Sequence, residues 1–392
     1  MASTPTALRG LPLLDDLGPI DGARVLVRTD FNVPLARGLD GELEVADDFR
    51  VRAALPTIEA LRAGGAHVVC CSHLGRPSGP DDPTGSMAPV RRVLERLCPG
   101  VELLENLRFD PGEQANDPAF VDRLVEGFDA YVNDAFSVAH RAHASVVGPP
   151  ARLPSAAGLR LEREVEVLAG LLEDPPRPFV AVLGGAKVTD KLGVTAAVAR
   201  VADAVLVGGG MAFTFLAAEG RAVGASLLDE SRLEGCRTLL ARSDRVRLPS
   251  DVVALSPGQP FGPGCTDGEV AVFEGDLPDG WVGLDVGPAT AAAFAEALRG
   301  AATILWNGPM GVFEDERFAA GTVAVARATA TSRAFSVVGG GDSEHALERA
   351  GLAKDVSFVS TGGGAMLAFL EHGDLPALAA LRRAPNATKD GT

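Results

Sequence analysis

Short apolar runs rich in β-branched residues alternate with longer amphipathic segments along the whole chain. Such runs are typical of buried strands, and apolar residues at three- and four-residue spacing are typical of helices. Their alternation predicts βαβ units, so the expected fold class is α/β, with doubly wound, Rossmann-like parallel sheets. The predicted strands are 24–28, 66–71, 101–104, 130–132, 179–183, 204–207, 251–255, 282–285, 303–306, 335–338 and 357–360.

The length of 392 residues favours two domains of nearly equal size. Residues 155–173 have the leucine and valine spacing of one helix, and the prolines of 174–178 should end it. We therefore expect an N-terminal domain at 1–172 and a C-terminal domain at 173–375.

The residues that follow the predicted strands differ between the two halves. The first half collects Arg, His, Asp and Asn there, whereas the second half has glycine-rich turns at 184–187, 208–210, 339–341 and 362–364. Ligands of doubly wound sheets bind beyond the carboxyl ends of the strands. Each half should therefore carry a ligand site of its own kind.

Glycine-rich turns before helices let backbone N–H groups approach a phosphate. One such turn can simply ease a tight strand-to-helix connection, but four in one half favour phosphate binding. The chain contains no Gly-Lys dipeptide, which excludes a Walker loop. A GxGxxG fingerprint fails because Phe213, Glu344 and Leu367 occupy the third glycine position.

Three charged residues stand beside these turns. Lys187 and Lys191 are four apart, so we expect them on one face of a helix's first turns, facing a polyanion or, alternatively, solvent. Asp342 follows a glycine triplet, where it can bind Mg²⁺ or simply cap a helix.

In the first half, six basic side chains and two polar ones are candidates for holding a small anion. Each arginine alone could equally form a surface ion pair, but together they favour an anion site, because the guanidinium fork matches carboxylate and phosphate. The candidates are Arg28, Arg50, His73, Arg76, Arg108 and Arg141, with Asp30 and Asn32 available for hydroxyls.

Composition narrows the possible partners and the compartment. The formal net charge of −16 argues against a general nucleic-acid or anionic-membrane surface. The sequence has no apolar segment long enough to span a membrane, and its first residues lack a basic stretch followed by an apolar one. Both observations favour a cytoplasmic protein. The five cysteines lack metal-type spacing and should be reduced.

Taken together, these strings resemble the phosphoglycerate kinase family over residues 24 to 378. The segments that carry the resemblance are 28–34, 72–77, 105–109, 131–136, 139–143, 184–191, 208–213, 280–288, 306–314, 339–342 and 360–364. Thr29, Ser137 and Val138 depart from the expected pattern without removing a charge.

The resemblance implies reversible phosphoryl transfer from 1,3-bisphosphoglycerate to Mg-ADP, giving 3-phosphoglycerate and ATP, in glycolysis and gluconeogenesis. It assigns the phosphoglycerate to the N-terminal domain. The implied substrate-binding residues are Asp30, Phe31, Asn32, Arg50, His73, Leu74, Gly75, Arg76, Arg108 and Arg141.

The resemblance places the nucleotide and Mg²⁺ on the C-terminal domain, with Asp342 on the metal. Arg50, Lys187, Gly363 and Gly364 would stabilise the transferring group. The implied nucleotide-binding residues are Gly185, Lys191, Gly209, Gly210, Gly283, Asn307, Pro309, Glu314, Gly340, Gly341, Asp342 and Ser343.

The resemblance also implies a monomer with a cleft between its domains, hinge closure before in-line transfer, and a tail (376–392) that packs on the N-terminal domain. Two other readings stay open: a kinase of the same architecture with a different acceptor, and a non-catalytic nucleotide-binding scaffold. Convergence of the Arg and His side chains would argue against the first, and the presence of Arg50, Lys187, Lys191 and Asp342 argues against the second.

Overall fold

The computed structural model describes residues 5–39 and 41–385. The chain divides into two compact units, one with the residues up to Ala169 and those from His372 onward, the other with Gly170–Glu371. These divisions fall at 169/170 and 371/372, against expected boundaries at 172/173 and 375/376. Residues 386–392 of the expected tail lie outside the described residues.

The strands and helices alternate for most of the chain. The strands are β1 (Arg24–Arg28), β2 (Leu35–Arg37), β3 (Leu43–Val45), β4 (His67–Cys71), β5 (Glu102–Leu103), β6 (Ala130–Asn133), β7 (Ser155–Ala157), β8 (Phe179–Leu183), β9 (Ala204–Val207), β10 (Val246–Arg247), β11 (Asp251–Leu255), β12 (Val270–Glu274), β13 (Val282–Val286), β14 (Thr303–Asn307), β15 (Phe335–Gly339) and β16 (Phe358–Ser360). The helices are α1 (Phe49–Ala63), α2 (Ala88–Leu97), α3 (Gly112–Ala115), α4 (Pro118–Val125), α5 (Ala144–Val147), α6 (Leu159–Glu173), α7 (Leu192–Val201), α8 (Met211–Ala218), α9 (Leu233–Arg242), α10 (Pro288–Arg299), α11 (Ala320–Thr331), α12 (Gly341–Arg349), α13 (Gly363–His372) and α14 (Pro376–Leu381).

The first unit is built on a parallel sheet in the order β5-β4-β1-β6-β7. Its core packs side chains of β1 and β4 against α1 and α2. In the register of the sheet, Arg28 lies level with Cys71 and Asn133. The residues that follow β1, β4 and β6 therefore begin at one edge of the sheet. Helix α14 packs on this unit, where Ala377 N donates to Ala139 O at 3.1 Å.

The second unit is built on a parallel sheet in the order β10-β9-β8-β14-β15-β16. Every residue of β8 and β14 is buried, as expected for central strands covered on both faces. Asn307, at the end of β14, lies level with Leu183 and Gly339. The glycine-rich turns therefore start at one edge of this sheet. The predicted α/β class with parallel sheets is confirmed.

Two predicted strands, β11 and β13, do not join the parallel sheet. They form a three-stranded antiparallel sheet with β12, in the order β12-β11-β13. No helix lies between β11 and β12 or between β12 and β13. A parallel pairing needs a crossover connection, so these short connections favour antiparallel pairing.

The prediction of one helix over 155–173 is wrong at its start. Residues 155–157 form β7, which pairs with β6, and the helix begins at Leu159. Gly158 N donates to Asn133 O at 2.8 Å, which extends the pairing past β7. Asp134 Oδ1 then accepts from Arg160 N at 2.9 Å. This carboxylate satisfies a free N–H group of the first turn and fixes where α6 begins.

Candidate functional site

In the first unit, Asp30 joins three polar groups from different segments. Arg50, in the first turn of α1, forms an ion pair with Asp30. Ser137 Oγ donates to Asp30 Oδ2 at 2.6 Å, and Asn32 N donates to Asp30 Oδ1 at 3.2 Å. The structure therefore brings the predicted residues Asp30, Asn32 and Arg50 together. Ser137, which the sequence shows only as a departure from a pattern, is part of the same group.

His73 lies directly beyond β4 and is buried. Its Nδ1 is 3.2 Å from Nη2 of the fully buried Arg28. Burial lowers the pKa of His73 far below its ordinary value, and the charges of Arg28 and Arg108 lower it further. The imidazole is therefore neutral at physiological pH and can both donate and accept a hydrogen bond.

The loop after β4 is tied to its neighbours through the backbone of Gly75. Gly75 N donates to Asn32 Oδ1 at 2.7 Å, and Arg108 donates through Nη1 to Gly75 O. Arg108 Nε is buried and has no hydrogen-bond partner within the part of the chain that the structure describes. Burial, followed by the charges of Arg141 and Arg28, lowers the pKa of Arg108 to about 10. An anion beside Arg108 would relieve both the orphaned donor and the crowded charge.

The remaining predicted substrate residues take different positions. Arg76 is exposed, and Arg141 donates through Nε to His140 Nε2 at 3.3 Å. The side chains of Phe31 and Leu74 are buried in the hydrophobic core, so only their backbone groups are available to a ligand.

Asn106 is a further residue of this region, and it organises the loop. Its Oδ1 accepts from Leu74 N at 3.2 Å and from Arg108 N at 3.0 Å, while its Nδ2 donates to Leu74 O at 2.7 Å. The sequence shows Asn106 only as one residue of a segment after a strand, and its contacts with a distant loop are not visible there.

The second unit contains a cavity of about 590 Å³ at the glycine-rich edge of its sheet. Seven of the predicted nucleotide residues line it: Gly185, Gly209, Gly210, Gly283, Pro309, Glu314 and Asp342. Leu227, Phe261 and Val312 also line the cavity, and Phe261 is 48% exposed. Polar glycine backbone on some walls and apolar side chains on others suit a ligand with phosphates and a flat apolar part. Loop residues such as Phe261 carried no recognisable motif.

Gly209 shows why glycine is required at this edge. Its φ is 67°, and a Cβ there would lie 2.5 Å from Gly185 N and 2.7 Å from Pro309 O. A side chain would therefore clash with backbone at a position that already disfavours L-residues. The close approach of the two glycine turns therefore depends on the absence of a side chain at Gly209.

The expectation that Lys187 and Lys191 share the first turns of a helix is wrong. Helix α7 begins at Leu192, and residues 188–191 form a turn in which Lys191 N donates to Val188 O at 3.0 Å. Val188 is buried, and its carbonyl oxygen accepts from both Lys191 N and Leu192 N.

The two lysines also differ in environment. Lys191 Nζ donates to Gly184 O at 2.5 Å and to Asn307 O at 3.3 Å. Burial lowers the pKa of Lys191 to about 8, against the opposing charges of Asp342 and Asp190. Lys187 is exposed, and neither a hydrogen bond nor an ion pair is found for it within the described residues.

The other predicted residues of this edge support the backbone. Asn307 Nδ2 donates to Gly339 O at 2.7 Å, and Ser343 Oγ accepts from Gly308 N at 2.6 Å. Gly363, at the start of α13, lies beside Gly340: a Cβ on Gly363 would lie 3.2 Å from Gly340 Cα. Gly364 and Gly341 follow in the first turns of α13 and α12.

Asp342 stands in the first turn of α12 and lines the cavity. The N-cap of that helix is Gly340, so the alternative reading of Asp342 as a cap is wrong. Within the described residues no three His, Cys, Asp or Glu side chains cluster as metal ligands. A single carboxylate suits Mg²⁺, which keeps several waters and is held largely by phosphate oxygens. The residues present therefore fit a metal that enters with the nucleotide.

No helix within 5–39 and 41–385 is long and apolar enough to cross a membrane.

These observations define an α/β protein with neighbouring arginine and histidine side chains at the sheet edge of one unit and a glycine-lined cavity at the sheet edge of the other. The family model for phosphoglycerate kinase matches residues 14–102 and 98–373. The chain belongs to the phosphoglycerate kinase family. It is therefore a kinase, a phosphotransferase with a carboxyl group as acceptor, and its reaction is a step of glycolysis.

Individual relatives agree with this family. A phosphoglycerate kinase of Salinispora tropica is 51% identical over 94% of this chain and 98% of its own length. One of Thermus thermophilus is 49% identical over 93% of this chain and 98% of its own length. The solved phosphoglycerate kinase structure from Coxiella burnetii has a TM-score of 0.82 at 38% identity, covering 93% of this chain and 97% of that one.

Proposed function

We propose that the basic residues of the first unit bind 3-phosphoglycerate or 1,3-bisphosphoglycerate, and that the cavity of the second unit binds ATP or ADP with Mg²⁺. One observation carries the first half of this proposal. Within the described residues, Arg28, Arg76, Arg108 and Arg141 have no carboxylate at ion-pair distance, although the chain carries a net charge of −16. Unpaired guanidinium groups near one strand edge favour an anionic ligand.

Asp30 and Asn32 would hold the hydroxyl of the glycerate, with backbone groups of Phe31, Leu74 and Gly75 beside them. His73, Arg76, Arg108 and Arg141 would hold its carboxylate and phosphate. His73 would donate a hydrogen bond as a neutral ring, since burial and the surrounding arginines keep its pKa low.

In the second unit, the glycine backbone of 184–185, 208–210 and 340–341 would receive the phosphates, with Lys191 beside them. Glu314 would hold the ribose hydroxyls, and Gly283 with the apolar wall would contact the base. Asn307, Pro309 and Ser343 would keep the turns in place through the backbone contacts described above.

The chemistry requires no dedicated base. The acceptor oxygen belongs to a carboxylate, which is already deprotonated at neutral pH, so no proton has to move. Catalysis then depends on positioning and on stabilisation of the charge of the transferring group. Arg50, Lys187 and the N–H groups at Gly363 and Gly364 would supply that stabilisation.

Asp342 would hold the Mg²⁺ that accompanies the nucleotide. The ion neutralises phosphate charge when it is bound. Asp342 suits this role because it combines a carboxylate with a position on the cavity wall.

We further propose that transfer follows closure of the hinge, because the two ligands bind in different units and water must be kept from the acyl phosphate. The same reasoning from family and composition favours a cytoplasmic monomer that binds neither nucleic acid nor membrane.

An omission assay tests the acceptor. Purified protein with ATP, Mg²⁺ and 3-phosphoglycerate should consume ATP, and omission of any one component should abolish turnover. If ATP bound without turnover, the proposal that the second unit binds the nucleotide would stand, and another acceptor would have to be sought. Binding of ATP with no turnover on any acceptor would favour the scaffold reading.

A further inference from the structure

A chain of buried polar groups lies next to His73 in the first unit. Arg28, Ser145 and Glu113 are each 0% exposed and come from β1, α5 and α3. Arg28 donates through Nε to Ser145 Oγ at 3.0 Å, and Ser145 Oγ is 2.6 Å from Glu113 Oε1. Ser145 N also donates to Glu113 Oε2 at 2.8 Å. Buried charges are costly unless they are compensated, so this arrangement requires an explanation.

The direction of each hydrogen bond among Arg28, Ser145 and Glu113 follows from which of their groups can donate. A guanidinium only donates, so Ser145 Oγ must accept from Arg28. The single hydroxyl proton of Ser145 is then available for Glu113 alone. The Glu113 carboxylate therefore compensates the charge of Arg28 through the serine, since no carboxylate of the described part of the chain pairs with Arg28 directly.

The direction of the hydrogen bond from Arg28 also fixes which ring nitrogen of His73 carries the proton. Arg28 Nη2 can only donate, so His73 Nδ1 must accept and carries no proton. A neutral imidazole with an unprotonated Nδ1 carries its proton on Nε2. No protein acceptor for Nε2 is found among the residues that the structure describes, which leaves that N–H available to a ligand oxygen.

We propose that Glu113 and Ser145 are positioning residues: they anchor Arg28, and Arg28 in turn fixes His73 as the neutral Nε2–H tautomer that binds substrate. The anchoring of Arg28 and His73 rests on the contacts above, whereas the binding of substrate by His73 rests on the proposed function.

The surroundings of His73 support a fixed neutral ring. Arg28, Arg50, Arg108 and Arg141 all disfavour its protonated form, after burial itself. Glu113 is near a second histidine instead, with its Oε1 3.9 Å from His143 Nδ1. Protonation of His73 would place a cation against Arg28 and break the Nδ1 hydrogen bond.

The test is ¹⁵N NMR of the imidazole nitrogens, with His73→Gln used to assign His73 among the six histidines. In the wild type, Nδ1 of His73 should show the shift of an unprotonated nitrogen and Nε2 that of a protonated one. Neither should titrate between pH 8 and pH 5. A protonated Nδ1 in the wild type would overturn the inference.

Ser145→Ala removes the link between Arg28 and Glu113. It should move both His73 nitrogens toward averaged tautomer shifts and raise KM for 3-phosphoglycerate about tenfold, with KM for ATP unchanged. Ser145→Thr, which keeps the hydroxyl, should restore both properties. Glu113→Gln should shift the tautomer in the same direction if Ser145→Ala does not fold.

Tyr131→Phe is the matched control. The Tyr131 hydroxyl donates to Ser145 O at 2.7 Å, so its removal costs a buried hydrogen bond beside the same serine without touching Arg28. It should lower Tm while leaving the His73 tautomer and KM as in the wild type. A purely structural role for Ser145 would make Ser145→Ala behave like Tyr131→Phe, which would overturn the inference. A shifted tautomer with unchanged KM would keep the anchoring and contradict the proposed substrate role of His73.

Discussion

The environment of individual charged side chains distinguishes the ligand residues from ordinary surface charges. Arg52 and Arg123, for example, pair with Asp48 and Asp110. Among residues 5–39 and 41–385, no carboxylate forms an ion pair with Arg108, and its buried Nε has no hydrogen-bond partner. An anion that binds beside such a group gains favourable electrostatic free energy, because no carboxylate already neutralises the positive charge. We therefore propose that arginines without an acidic partner, Arg108 among them, mark the anion site, with Arg50, which pairs with Asp30, as an exception.

Lys191 supports a prediction about pH. Its pKa of about 8 in the free protein should rise when a polyanion binds beside it. Binding then takes up a proton above pH 8, so MgATP affinity should fall as pH rises from 8 to 10. Calorimetric Kd values for wild type and Lys191→Met should show this slope only in the wild type.

The variant itself should bind MgATP about tenfold more weakly at pH 7. The exposed Lys354 offers a control, because Lys354→Met removes the same charge elsewhere. An identical pH slope in Lys191→Met and wild type would contradict this role.

At the scale of elements, the sequence predicts strands better than it predicts their partners. The apolar runs of 179–183, 204–207 and 251–255 match observed strands to the residue. The antiparallel pairing of β11 could not be read from its own residues, because it depends on the connection to β12.

Helix starts were less predictable for the same kind of reason. The predicted helix extends back to Ser155 over residues that precede its first leucine, Leu159, but pairing with β6 holds 155–157 as a strand. The turn at 188–191 likewise depends on burial of Val188 and on distant carbonyl oxygens for Lys191. The site residues that were missed, Asn106 and Ser137, act through contacts of this long-range kind.

Asp134 at the start of α6 gives a prediction about stability. Burial raises its pKa to about 7, although hydrogen bonds from the α6 backbone lower it in part. Between about pH 4 and pH 7 the folded protein therefore holds a proton that the unfolded chain releases, and stability falls as pH rises. Asp134→Asn should remove this loss. The free energy of unfolding of the variant, relative to the wild type, should therefore be higher at pH 7.5 than at pH 4.5 by on the order of 2 kcal/mol.

Chemical denaturation at several pH values would measure this effect. Asp82→Asn serves as the control, because Asp82 is exposed and its hydrogen bonds lower its pKa instead. If the free energy of unfolding depended on pH in the same way in Asp134→Asn and the wild type, the proposed role of Asp134 at the start of α6 would be wrong.

At the scale of the whole molecule, the chain is strongly acidic yet its ligands are anions. The net charge of −16 repels phosphates at long range, so binding must come from short-range groups. In the proposed assignment, the arginines of one unit and the glycine backbone of the other would provide two separate solutions. Neither solution alone suffices for transfer, which needs both ligands in contact.

Hinge closure therefore predicts a change in size that depends on both ligands. Small-angle scattering should show a smaller radius of gyration with 3-phosphoglycerate and MgATP together than with either ligand alone. Unchanged scattering with both ligands bound at saturation would contradict closure as the step that unites them.

The central claim is that each unit binds one ligand through the residues named here. The most direct measurement is calorimetric binding of 3-phosphoglycerate and MgATP to the wild type, Arg108→Ala and Asp342→Asn. Arg108→Ala should weaken 3-phosphoglycerate binding about tenfold or more and leave MgATP unchanged, and Asp342→Asn should do the reverse. If Arg108→Ala instead impaired MgATP, or Asp342→Asn impaired 3-phosphoglycerate, the assignment of ligands to units would be wrong.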